Sequence, residues 1–207
     1  MKSKKLKKWT TLLTCATALT VMTACSQSGS QSTGTTSSTT SKTSAVTATT
    51  SKKTNKNNSN YFTSKDSDTS YNESSATKIK LSGSSADVSG DGASLSGSTV
   101  TISKAGTYVI SGKSDGVQIK VDAGDSDDVH IVLDGATMTN TNAAINATKA
   151  GHVYLTLKDG TTNTLSDSSS NSDEDADAVI FSKGDLTING SGTLNIDAKK
   201  NNGIKAN

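Results

Sequence analysis

From Ile79 onward, apolar side chains recur at alternate positions in short runs, and no stretch carries them at helical spacing. Successive side chains of a strand point to opposite faces, so a period of two marks a strand with one buried side. Ile79-Lys80-Leu81, Val100-Thr101-Ile102, Tyr108-Val109-Ile110 and Ile119-Lys120-Val121 each read as a short strand, separated by Gly, Asn, Asp and Ser. The run TVTISKAGTYVISG, with Ala105-Gly106 between two of these strands, reads as a hairpin. The predicted fold class is all-β.

An internal repeat sharpens that prediction. VHIVLDG at 129–135 matches VYLTLKDG at 153–160, and LTING at 186–190 follows the same plan. The aliphatic positions are Val129, Ile131 and Leu133, then Val153, Leu155 and Leu157, then Leu186 and Ile188. A second column is formed by AINATKAG (144–151), AVIFSKGD (178–185) and GIKAN (203–207), which aligns Ala144 with Ala178 and Gly203. Matching short strands at coil-like intervals predict a parallel β-helix with aliphatics stacked inside, rather than a β-sandwich. Residues 79–121 are expected to form N-terminal cap strands and 122–207 the coils. The chain stops at NNGIKAN just as another coil opens, so the solenoid is expected to be truncated at its C-terminus.

The first 78 residues have a different character. Lysines 2, 4, 5, 7 and 8 precede a short stretch of apolar and small residues from Trp9 to Ala24, the pattern of a secretory signal. It ends in VMTAC, which resembles a lipobox; Cys25 is the predicted lipidation site, with residues 1–24 as the lipoprotein signal peptide. Both cysteines lie in this leader, so the exported domain has no disulfide framework. Residues 25–78 are dominated by Ser, Thr, Lys and Asn, too polar to offset the entropy of folding, and are predicted to be a disordered tether. Together these place the protein, as an expectation, on the extracellular face of a bacterial membrane.

Charge is divided unevenly. The whole chain is formally +2, yet residues 79–207 carry ten lysines against sixteen carboxylates, about −6. There is no arginine. An acidic domain without arginine is poorly suited to a phosphate backbone, which excludes nucleic acid as a partner.

The order LSGSSADVSGDGASLSGSTVTISKAGTYVISG, VDAGDSDDVHIVLDGATMTN, DAVIFSKGDLTINGSGTLNI, NNGI resembles the bacterial cell-surface carbohydrate-binding domain proteins first recognised in clostridia. The resemblance covers nearly all of 79–207. It implies a right-handed parallel β-helix similar to that of pectate lyases, bound calcium, and binding rather than cleavage of acidic plant polysaccharide such as polygalacturonate. A monomer is expected.

The candidate site residues follow from chemistry read beside that resemblance. Asn171, Asp173, Asp175 and Asp177 alternate along one loop with Glu174 interposed. Hard oxygen donors crowded in a loop are what Ca²⁺ takes, so Asp173, Glu174, Asp175 and Asp177 are the predicted metal ligands; Ala178 and Gly184 stand where an EF-hand needs Gly and Glu. Lys149 and Lys183, aligned in the second column, are candidates to share a uronate carboxylate, the alternative being two solvated lysines. Tyr154 is out of phase with Val153 and Leu155 and is predicted to point outward, where it could stack on a sugar. His130 and His152 have no zinc partners and no catalytic triad, and are expected to be surface residues. No catalytic residue is predicted. A divergent polysaccharide lyase and a purely structural or adhesive solenoid are the alternatives; the lyase would need a base of lowered pKa.

Overall fold

A computed structural model describes residues 44–47 and 62–207. Met1–Thr39 lies wholly outside the described residues. Cys25 and the signal segment 1–24 therefore lie outside them too.

The described residues are all β, apart from one short 3₁₀ turn at Ser64–Ser67. In chain order the strands are β1 (Ser44–Thr47), β2 (Thr77–Gly83), β3 (Ser85–Ser89), β4 (Ala93–Ser96), β5 (Thr99–Ile102), β6 (Gly106–Asp115), β7 (Gln118–Asp122) and β8 (Asp128–Thr139). They continue with β9 (Ile145–Lys149), β10 (His152–Leu157), β11 (Thr162–Ser166), β12 (Ala178–Ser182), β13 (Asp185–Gly190), β14 (Thr193–Asp197) and β15 (Asn202–Ala206). Two mixed sheets result. The larger has nine strands, with β8 paired to β6, β10 and β11; the smaller runs β15-β12-β9-β7-β5-β4.

The repeat visible in the sequence is a ladder in space. β8, β10 and β13 lie parallel with Val129, Val153 and Leu186 in one row, and Ile131, Leu155 and Ile188 in the next. The second column also stacks, but one position away from the alignment of the repeated turns. Ile145 pairs with Ile180 and Ile180 with Ile204; burial of Ile145 and Ile180 sets their register, while Ile204, on the last strand, is exposed. Val100, Ile119, Ile145 and Ile180 make a continuous fully buried row.

β8 bends where Gly135 has φ +70 and the ladder to β6 shifts between Ser111 and Gly112. Its first half pairs with β10 and its second with β11. Two corners need glycine. A Cβ on Gly112 (φ +90) would sit 2.5 Å from the Leu81 carbonyl oxygen, and one on Gly190 (φ +95) 2.2 Å from that of Leu157. Asn163, fully buried at another corner, accepts from the amide of Ala136 and donates to the carbonyl of Thr193, spanning strands on either side of its own.

Three expectations are corrected here. TVTISKAGTYVISG is not a hairpin, since β5 pairs with β4 and β7 while β6 pairs with β2 and β8. The hairpins are β2–β3 and β4–β5, each turning at a Gly-Ser pair with Gly83 at φ +58 and Gly97 at φ +59. The parallel stack begins well before residue 122, with β2, β5, β6 and β7 already in it. Finally, residues 62–78 are not tether in their described course; they form a strap along the outer face of the larger sheet and lead into β2, which starts at Thr77.

Candidate functional site

On the larger sheet, the residues out of phase with the core form three outward rows. Asp128, His152 and Asp185 are in one; Thr107, His130, Tyr154 and Thr187 in the next; Val109, Val132, Thr156 and Asn189 in the third. Parallel neighbours sit about 4.8 Å apart, so each row brings side chains from three or four strands into mutual reach.

The rows are knitted by two hydrogen-bond relays that repeat from one strand to the next. His130 Nε2 lies 2.7 Å from Thr156 Oγ1, which donates to Asn189 Oδ1 at 2.6 Å. Asn189 Nδ2 then donates to the carbonyls of Asp66 and Asp68 on the strap, 3.1 Å each. Thr156 has one proton and gives it to Asn189, so His130 is the donor at Nε2. One strand further, His152 Nε2 lies 2.8 Å from Thr187 Oγ1, which donates to Asp66 Oδ1. The spacing is the same both times, a histidine to the threonine two positions along on the neighbouring strand.

The strap completes the site. Lys65 pairs with Asp128 and stands 5.0 Å over the ring of Tyr154. Tyr71 meets His130 edge-on at 6.1 Å and packs against Ala76, Val109 and Val132. Between strap and sheet opens a cavity of about 230 Å³ lined by Lys65, Asp68, Thr107, Asp128, His130 and Tyr154. Electrostatics follow the contacts. Hydrogen bonds from Thr187 and then Thr63 hold the Asp66 carboxyl below its usual range. Burial pushes the His130 imidazole down, and the hydrogen bond to Asp128 pushes the Lys65 ammonium up.

Tyr154 is therefore placed differently from expectation. It points away from the core, but it is only 7% exposed, with His152 stacked on it at 4.0 Å and 7°. The two histidines also point outward, yet the strap covers them, so they are components of an interface. Alternation indicated the direction of His130 and Tyr154, while His152 opens β10; nothing in it indicated that a polar segment from upstream lies on top.

The two candidate lysines stand at the ends of neighbouring parallel strands, Lys149 closing β9 and Lys183 just after β12. Ser182 pairs with Ala147, and the amide of Lys183 donates to the carbonyl of Ala147. Lys149 pairs with Asp125 at 3.5 Å.

The acidic run lies against the smaller sheet. Asp173 Oδ1 accepts from the amides of Asp175 and Ala176, at 3.1 and 2.9 Å. Asp177 accepts from Lys205 at 2.7 Å and from Asn202 at 3.3 Å. Lys200 donates to the carbonyl of Asn171, and Glu174 and Asp175 are exposed. Buried Asp167 holds the amide of Lys199 at 2.6 Å and Asn171 Nδ2 at 3.2 Å. Among the described residues, no three His, Cys, Asp or Glu side chains gather so as to hold a metal ion. Asp173, Glu174 and Asp177 line one cavity, with Asp173 and Asp177 engaged by loop amides, Lys205 and Asn202. Two lysines of the following segment, one paired with Asp177 and one bonded within the loop, supply the positive charge that so dense a set of carboxylates demands.

Comparison with known proteins agrees with the sheet architecture. The family described as "Carbohydrate-binding domain-containing protein" matches residues 96–207. A carbohydrate-binding domain-containing protein of Acetivibrio thermocellus is 41% identical over 111 residues, 51% of this chain and 39% of that relative. A solved structure of a polysaccharide lyase-like protein from C. thermocellum, a gadolinium derivative, superposes with a TM-score of 0.61 at 36% identity, covering 63% of this chain and 56% of that one. The chain thus spans less than two thirds of the length of both. Every sheet residue of the two relays lies within the matched segment; the strap lies outside it.

Proposed function

Since the chain belongs to the carbohydrate-binding domain-containing protein family, we propose that it is a cell-surface lipoprotein that binds acidic polysaccharide without cleaving it. The stacked strands are proposed to wind as a right-handed parallel β-helix, the hand that parallel crossovers take almost without exception. The outer face of the larger sheet is the binding face. The observation that carries this reading is the pair of relays that fix the directions of the Asn189 amide and the Thr187 hydroxyl on that face, where both now meet the strap's carboxylate and carbonyls, next to a cavity lined by His130 and Tyr154. Sugar recognition needs such fixed, directional polar groups around an aromatic ring. Fixed donors also suit the carboxylates of a uronate chain, since hydrogen bonds to a charged acceptor are the stronger kind.

Two observations favour binding over lyase chemistry. A base that removes a proton from a uronate needs a lowered pKa. The lysine at the cavity, Lys65, is instead raised by its hydrogen bond to Asp128, and Lys158 on the same sheet is raised by Asp134. Asp173, Glu174 and Asp177 line one cavity together with Lys200, and no step of the binding is routed through a metal. Anchoring at Cys25 and an extracellular location are proposed from the leader.

Retention of the full chain on insoluble polygalacturonate, with calcium and with EGTA, tests the reading. Retention without release of unsaturated uronate supports it. Absence of retention in both buffers overturns it, and product release transfers the protein to the lyases.

A further inference from the structure

We propose that Asp66 is an internal stand-in for a sugar carboxylate, occupying a subsite built by Thr187, His152 and Asn189; this rests on the binding function proposed above. The strap's carboxylate is divided between two tasks. One oxygen, Oδ2, accepts from the amide and hydroxyl of Thr63 at 2.7 and 2.9 Å and so serves the strap itself. The other, Oδ1, reaches down to the sheet, where it accepts from Thr187 Oγ1 and lies 3.7 Å from His152 Nε2. Beside it, Asn189 spends both amide protons on the strap carbonyls of Asp66 and Asp68.

What the strap presents to the sheet is one carboxylate oxygen flanked by two neutral oxygens. A uronate residue with its ring oxygen and hydroxyls presents the same set. The receiving groups belong to the sheet and are held by it. Thr187 is aimed by His152, and Asn189 is aimed by Thr156, which is aimed by His130. They would keep their directions with the strap lifted, leaving the Thr187 hydroxyl and the Asn189 amide without acceptors in the protein. Water then meets these fixed donors, and because hydrogen bonds to a charged acceptor are the stronger kind, a ligand with a carboxylate in that position is favoured over a neutral one. Lys65 leaves with the strap, which frees Asp128 and the Tyr154 ring at the same time. The strap and the polysaccharide then compete for one face. The competition is intramolecular, so apparent affinity is reduced by the fraction of time the face is open.

The test is binding of tetragalacturonate and of neutral cellotetraose to the full chain, wild type against Asp66→Ala, Asp66→Asn and Asp66→Ala/Thr187→Val. Asp66→Asn keeps the shape of the strap and removes its charge, and circular dichroism verifies the fold of each variant. Asp66→Ala is expected to bind tetragalacturonate about tenfold more tightly than wild type, the gain for a face covered roughly nine-tenths of the time. Asp66→Asn should fall between, cellotetraose should gain less, and Thr187→Val should cancel the gain. Wild-type binding that Asp66→Ala leaves unchanged or weakens overturns the stand-in and leaves the binding function intact. No tetragalacturonate binding by wild type or by any variant overturns both.

Discussion

His130 shows how a single side chain reports its surroundings. Burial lowers its pKa in the fold, so the folded protein prefers the neutral ring whose Nε2 proton goes to Thr156. An imidazole depressed in this way binds fewer protons folded than unfolded below about pH 6.5. Its contribution to stability is complete above that value and is lost as pH falls through the lowered folded one. Melting temperature should therefore decline from pH 7 to pH 5, and His130→Gln should flatten that slope. Asp177 works in the lower range. The Lys205 hydrogen bond holds its carboxyl below the usual 3.8, so its stabilisation is present above that value and disappears as pH falls through the depressed one. Lys205→Met should weaken this acid dependence in melts between about pH 2 and pH 5 while leaving the pH 5–7 limb alone.

At the scale of elements, the strand rows were legible because burial enforces period two, and Val129, Val153 and Leu186 stack as the repeat implied. Turns were harder to read. Ala105-Gly106 resembles a hairpin turn, but β5 and β6 belong to different sheets, and the true hairpins turn at the less conspicuous Gly83-Ser84 and Gly97-Ser98. The strap was invisible for a different reason. Its composition is that of a tether, and it docks by side-chain and carbonyl hydrogen bonds, with Tyr71 as its main apolar contribution. Corners make a sharper prediction. Gly190 combines positive φ with a Cβ position 2.2 Å from the Leu157 carbonyl, and backbone cannot give way as a side chain can. Gly190→Ala should cost roughly 3 kcal/mol or more in urea unfolding, counting strain and overpacking together. Gly160, which also has positive φ but open space around it, should cost about 1 kcal/mol.

For the whole molecule, charge distribution decides how the acidic run is to be understood. Four carboxylates within five residues call for positive charge nearby, and the chain supplies it from the segment that follows, through Lys200 and Lys205. Melting temperature should therefore be the same in calcium and in EGTA. The double variant Lys200→Met/Lys205→Met should melt lower and gain a response to calcium. A wild-type rise with calcium that Asp177→Asn removes would show instead that the loop rearranges to bind the ion.

By itself the sequence determined the all-β class, the stacking of repeated strands, the direction in which His130 and Tyr154 point, and the acidic charge of the domain. These follow from local rules, since alternation sets the face of a side chain and composition sets charge. Only the tertiary structure decided which strands pair across the corners, that Ser182 pairs with Ala147, that lysines sit among the acidic residues, and that an upstream strap covers the relay face. Each of these depends on groups far apart in the chain meeting through polar contacts. Such contacts leave no period in the sequence, whereas the burial of apolar rows does.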